Sequence, residues 1–229
     1  MDLQASENSD LRSPGTRQWI IFGAGGHARS LFSVIRGRGD TVAGVVGDGG
    51  GQWKPVQKSF SNDDDAIEFA LNRNLSVCIG IGANHVRWRL AELLLEALPP
   101  ENLVPLVAHS ATVDPTADLA PLTQILEHAH VGPGATVGAA TIVNTSAVVE
   151  HDAATGDSCH LAPGAMLLGE ASIAHRVFVG SGARVLPRIS VADDVILGAG
   201  AVATKDLPGS TTYVGVPAAP TTSMKGITE

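Results

Sequence analysis

The chain has 229 residues and a formal charge of −8, with an isoelectric point near 5.4. This excludes a nucleic-acid binder built on a basic stripe and leaves any anionic small substrate to local Arg, Lys or backbone amides. Two cysteines, Cys78 and Cys159, offer neither a disulfide framework nor a CxxC pair; no apolar run approaches the ~18 residues of a membrane span, so no span and a cytoplasmic location are expected.

Residues 1–17 are rich in Ser, Asp, Asn and Gln and are expected to form a disordered tail. From residue 18 the pattern alternates between strand and helix. Residues 19–22 read as a short apolar strand, Gly23-Ala24-Gly25-Gly26-His27-Ala28 as a glycine loop, and Leu31, Phe32 and Ile35 as the apolar face of a helix ending near Gly37. Residues 41–46 form a second strand, with Asp48 just past its end. Ser61-Asn62-Asp63-Asp64-Asp65 reads as a helix N-terminus, where cap oxygens and acidic side chains suit the exposed amides. Residues 75–81 give a third strand. Residues 84–98 give a helix with Val86, Leu90, Leu93 and Ala97 on its apolar side. Residues 18–108 are therefore expected to be a small Rossmann-like βαβαβα domain.

The loop fits GxGxxA between strand and helix, with Asp48 about twenty positions on, as in a dinucleotide site. Amides at a helix N-terminus hold any phosphate, so a nucleotide-sugar pyrophosphate suits the loop as well. A tight turn with no ligand is the third reading. Nothing else in the chain resembles a nicotinamide domain.

From Val113 a hexad takes over. Every sixth residue gives Val113, Leu119, Ile125, Val131, Val137, Val143, Val149, Thr155, Leu161, Leu167, Ile173, Val179, Val185, Val191 and Leu197. Four residues after each stands a small or branched residue, from Ala117 and Thr123 to Val195 and Ala201. Two inward positions per six residues, two apart, mean strand alternation with a corner every hexad. Six is not a multiple of 3.6, which excludes an amphipathic helix, and no hairpin turns interrupt the run. The reading is a parallel β-helix over residues 109–229, including a C-terminal tail, with about five triangular coils of eighteen residues stacked at ~4.8 Å. Thr155 alone breaks the aliphatic column and is expected to loosen its coil. The low aromatic content, 4% of residues, suits so narrow an interior.

These hexads, followed by Gly198-Ala199-Gly200-Ala201-Val202 and Gly215-Val216-Pro217-Ala218, resemble the left-handed β-helix acyltransferases. The order of glycine loop with His27, Rossmann-like unit and β-helix with Glu150-His151-Asp152 resembles a narrower group, the bacterial nucleotide-aminosugar N-acetyltransferases and sialic acid O-acetyltransferases. The resemblance covers residues 19–218. It implies a homotrimer that takes acetyl-CoA and a nucleotide-linked 4-amino-4,6-dideoxy sugar, or alternatively acetylates a sugar hydroxyl. It further implies that Gly23, Gly25, Gly26 and His27 lie at the acceptor's phosphates, Asp48 near its base or sugar, and Asn144 in the active-site coil. His151 becomes the general base with Asp152 orienting it, and His160, Gly169, Ser181 and Ala199 meet acetyl-CoA. The family usually has Lys or Arg where this chain has Ala219, which leaves Arg184, Arg188 and Lys205 as candidates for the cofactor's phosphates by charge and position.

The spacing adds independent support. His151 lies between inward Val149 and Ala153, so it faces out near a corner, and Gly169, eighteen residues on, stacks one rung away with an approachable amide. Asp152 can reach His151 only if a turn brings sequence neighbours to one side. A zinc lyase sharing three histidines across an interface needs closely paired ligands, and no His-x4-His pair occurs; no metal is expected. A non-catalytic scaffold is the remaining reading.

Overall fold

The computed structural model describes residues 17–48, 56 and 58–221. The expected N-terminal tail up to residue 16, the stretch at 49–55 and 57 after Asp48, and the last eight residues lie outside the described ones. The N-terminal unit runs β1 (Gln18–Phe22), α1 (Gly26–Gly37), β2 (Thr41–Val46), β3 (Ser59–Phe60), α2 (Asp63–Arg73), β4 (Ser76–Ile79) and α3 (Asn84–Ala97). Its sheet is wholly parallel in the order β3-β2-β1-β4. The two-residue edge strand β3 is an addition to the expected pattern, too short to carry an alternation. Asn62 caps α2 by accepting from the Asp65 amide at 2.9 Å, as the acidic first turn predicts.

The face of α3 corrects the sequence reading. Its buried residues are Arg87, Ala91 and Leu94, while Val86 and Leu93 are 44% and 39% exposed. An arginine occupies the centre of the buried stripe, so apolar spacing pointed one position away from it.

The remainder is a left-handed parallel β-helix with three faces. Face one carries Leu106–Val107, Gln124–Ile125, Ile142–Val143, His160–Leu161, Phe178–Val179, Ile196–Leu197 and Thr212–Val214. Face two runs from Thr112–Val113 through Val148–Val149 to Val202–Ala203, and face three from Asp118–Leu119 through Ala154–Thr155 to Ser190–Val191. Seven parallel strands on face one make six steps, so the prism is one coil taller than the five expected, roughly 29 Å at the usual strand spacing. Val107 extends the hexad phase backwards. At the far end the coil shortens, Ile196 pairing with Thr212, which hides the last strand from a six-residue count.

Inward residues from Val131 to Leu197, apart from the partly buried Ile189, are almost wholly buried, each aliphatic contributing ~1.5–3 kcal/mol. That burial offsets a repeated local cost. Three residues past the inward strand position the backbone turns left-handed: Leu122, His128, Ala140, Ser146, Asp152, Ser158, Glu170, Arg176, Arg188 and Asp194 have φ between +51° and +62°, a conformation that disfavours a side chain by roughly 1–2 kcal/mol. Thr155 does not loosen its coil. Its hydroxyl accepts from the Gly138 amide at 3.0 Å, so the polar atom is satisfied inside the prism.

Arg87 joins the two domains. Fully buried and without a carboxylate partner, it donates to Ala140 O (2.7 Å), Ser158 O (2.8 Å) and Cys159 O (2.9 Å) of the prism, and to Ile81 O, Gly82 O and Asn84 Oδ1 of its own domain. Burial pulls its pKa down to about 9, still charged at neutral pH. Asn84 adds bonds to Arg176 O and Val177 O. Cys78 and Cys159 are buried and unpaired, and no helix among the described residues is long and apolar enough to cross a membrane.

Candidate active site

Two groups of expected site residues assemble, at different corners of the prism. The first sits between faces two and three. Asp152 has φ +58°, and this turn swings its carboxylate round so that Oδ2 accepts from His151 Nδ1 at 3.0 Å. The bond leaves Nε2 as the ring's free lone pair. It also raises the His151 pKa above the ordinary imidazole value, with the Asp152, Glu150 and Glu170 charges acting in the same direction. Gly169 lies directly beneath the ring: a side-chain carbon there would overlap His151 at Nε2 and Cε1. Only glycine lets the imidazole lie over the next rung.

The column of equivalent corner residues reads Pro115, Pro133, His151, Gly169, Pro187. Prolines have no N–H, so within this column amides occur only at His151 and Gly169, and Gly169 N–H donates to no protein group among the described residues. The corner between faces three and one is different. There Ala139 N donates to Asp157 Oδ1, Asp157 N to His175 Nδ1 and His175 N to Asp193 Oδ1, all within 3.0 Å. Side chains thus answer this column of amides at one corner, while at the other the His151 and Gly169 amides donate to no protein group among the described residues.

The second group lies on face one and the corner that follows it. Asn144 Oδ1 accepts from the Thr145 amide at 2.8 Å, so Nδ2 faces His160 Nε2 at 3.0 Å as donor. His160 must then carry its proton on Nδ1, which is buried without a partner. His27 lies 6.3 Å from His160, centroid to centroid, and Phe178 meets the His160 ring edge-on at 5.3 Å. Burial, aided by the Arg87 charge, holds both histidines neutral, His27 at about 4 and His160 at about 3. Ser181 and Ala199 are exposed and stack at the same corner, joined through the Gly200 amide to Ser181 O at 2.9 Å. Among the described residues no three His, Cys, Asp or Glu side chains gather as a metal ligand set.

In the glycine loop the three glycines have different reasons. Gly23 has φ +109°, and a side-chain carbon there would press on Gly80 O and Ile81 at 3.0 Å, so the fold itself requires it. A carbon at Gly25 would meet nothing within 4 Å, and one at Gly26 only Arg29 at 3.7 Å. Both are exposed at the start of α1, in space the protein leaves open. Asp48 is exposed at the end of β2.

Comparison with known proteins matches this architecture. The family described as the PglD N-terminal domain matches residues 18–94. PerB from Caulobacter crescentus, solved with CoA and GDP-perosamine, shares 33% identity over 89% of this chain and 97% of its own, with a TM-score of 0.81. The chain belongs to the hexapeptide-repeat sugar acetyltransferases. Within these acetyltransferases, the acetyltransferase domain of PglB from Neisseria gonorrhoeae FA1090 is 27% identical over 90% of this chain and all of that one, with a TM-score of 0.81. WeeI from Acinetobacter baumannii AYE, at 21% identity and a TM-score of 0.75 over 90% of this chain and all of that one, shares the fold. No curated protein sequence matches the chain.

Two residues beside the site escaped the sequence reading of this acetyltransferase: Arg87, and Gln124, which bonds both His27 and Ile79 across the domain boundary. Gln124 does stand at an outward position of its hexad, next to inward Ile125, and would be a plain surface residue if the N-terminal unit did not cover it.

Proposed function

We propose that the chain transfers acetyl from acetyl-CoA directly to the amine of a nucleotide-linked 4-amino-4,6-dideoxy sugar, in the cytoplasm. The observation that carries this reading is the His151 ring, tied to Asp152 and lying over the open amide of Gly169. The amine nitrogen attacks the thioester carbonyl while His151 Nε2 takes its proton. Gly169 N–H supports the oxyanion. Collapse breaks the C–S bond, and the imidazolium returns the proton to the leaving thiolate. No covalent intermediate is needed, since Cys159 is buried with its thiol donating to Ala174 O and burial pushes its pKa up to about 12.

The glycine-loop amides hold the acceptor's pyrophosphate and Asp48 lies near its base or sugar, while Asn144 lines the acceptor side and His160, Ser181 and Ala199 contact acetyl-CoA. The direct test is acetylation of UDP-, dTDP- and GDP-linked 4-amino sugars, with thiol release counted against product. The expected result is one accepted nucleotide, whose binding also raises the unfolding temperature. If all three fail in both assays, the reading is wrong. Gly25→Val, which the fold has room for, should raise the acceptor's KM while leaving that of acetyl-CoA nearly unchanged.

The two residue groups stand at opposite ends of face two, so one copy does not bring them together. A threefold arrangement with face two inward would set His151 of each copy beside Asn144 and His160 of the next. The outward row of that face includes half-buried Val148, Met166 and Val202, apolar enough for such a contact. Light scattering at micromolar concentration is expected to give a trimer; a fully active monomer would remove the argument.

A further inference from the structure

The hydrogen bonds around His27 fix which of its nitrogens carries the proton. Gln124 is wholly buried on face one, and its Nε2 lies 2.8 Å from the Ile79 carbonyl. That carbonyl can only accept, so the amide NH2 must point there and Oε1 must face the other way. Oε1 lies 2.7 Å from His27 Nε2, which therefore holds the hydrogen. His27 Nδ1 is left with a lone pair. Among the described residues no hydrogen bond reaches Nδ1, and the atom is not fully enclosed, so it keeps access from outside. The ring stands in the first turn of α1, where the positive end of the helix opposes a second proton.

Building on the acetyltransfer reading above, we propose that Gln124 is a positioning residue that holds His27 as its Nε2–H tautomer, so that Nδ1 accepts a hydrogen bond from a hydroxyl or amine of the acceptor sugar. A phosphate oxygen offers only lone pairs and would meet the Nδ1 lone pair unfavourably. The phosphates are left to the backbone amides around Gly25 and Gly26, whose faces the protein keeps clear. This revises the role implied by resemblance, which put the His27 side chain at the phosphates.

Two measurements separate the possibilities. In protein labelled with 15N-histidine, ring-nitrogen shifts report the tautomer directly, with His27 assigned by the signals missing from His27→Gln. The expected spectrum has a protonated Nε2 and a bare Nδ1 at neutral pH; the opposite tautomer or an imidazolium overturns the proposal. Gln124→Leu should release the ring into a mixture of tautomers, and an unchanged pure Nε2–H signal would show that Gln124 does not set it. The second measurement uses His27→Ala with the nucleotide amino sugar chosen by the acetylation screen and with its matching nucleoside diphosphate. Affinity for the sugar nucleotide should fall about fivefold or more, the scale of one hydrogen bond, while that for the nucleoside diphosphate stays within about twofold. Equal losses would place the side chain at the phosphates. If no sugar nucleotide binds wild type, the acetyltransfer reading fails on its own, and the nitrogen spectrum still decides the tautomer.

Discussion

Replacing His151 by alanine is expected to lower turnover by about 10²- to 10⁴-fold, the range contributed by a positioned general base, with both substrates still bound. The ring is exposed and supports no packing, so the variant should fold normally. The raised pKa of His151 sets the sign of the pH dependence. A base works in its neutral form, so kcat should fall as pH drops through a value above the ordinary ~6.5 of imidazole. Asp152→Asn removes the main cause of that shift. It should move the acid limb to lower pH while costing less turnover than loss of the imidazole. Wild-type kcat for His151→Ala at saturating substrates would end the assignment. His160 could not take over as base, because its Nε2 already accepts from Asn144 and its Nδ1 is buried.

The largest effect on stability is expected at Arg87. Arg87→Met fills much of the same volume but withdraws five N–H donors from six acceptors, three of them buried prism carbonyls. Each buried carbonyl left unsatisfied costs about 1–3 kcal/mol, and relief of the guanidinium's own desolvation offsets part of the sum, so the expected net loss is roughly 3–5 kcal/mol. For a chain of this size that lowers the unfolding midpoint by roughly 6–20 °C. Arg87→Lys keeps the charge but not the planar fork that reaches both domains at once, and should fall between. Calorimetry is the check; a midpoint for Arg87→Met within about 2 °C of wild type would show that the domains are joined by other contacts.

Arg87 also marks where the sequence stopped being legible. The β-helix could be read almost residue by residue, because one physical rule repeats without interruption: an aliphatic every sixth position, with burial reinforcing each coil on the last. The His151 corner followed from the same arithmetic, which put Gly169 beneath the ring. What the arithmetic could not supply was contact between different kinds of structure. Arg87 and Gln124 are polar residues in positions that patterning assigns to water, and each becomes interior only when the two domains meet. The apolar stripe on α3 was misplaced for that reason, Val86 and Leu93 being exposed while the arginine between their turns is buried. Likewise the Asp152 turn is set by the corner geometry of the whole coil.

The eighteen-residue period turns sequence distance into height. Gly169 lies one rung from His151, and the rung beyond it carries Pro187 and Arg188, the latter paired with Glu170 at 2.9 Å; each rung adds ~4.8 Å along the prism axis. An elongated acyl donor lying along this axis would be measured by the prism as by a ruler, its reactive end at one graduation and its charged end some rungs away. Removing one complete coil between the two would keep every inward residue in phase and the left-handed turns in place. The fold would survive, and the ruler would be one graduation short.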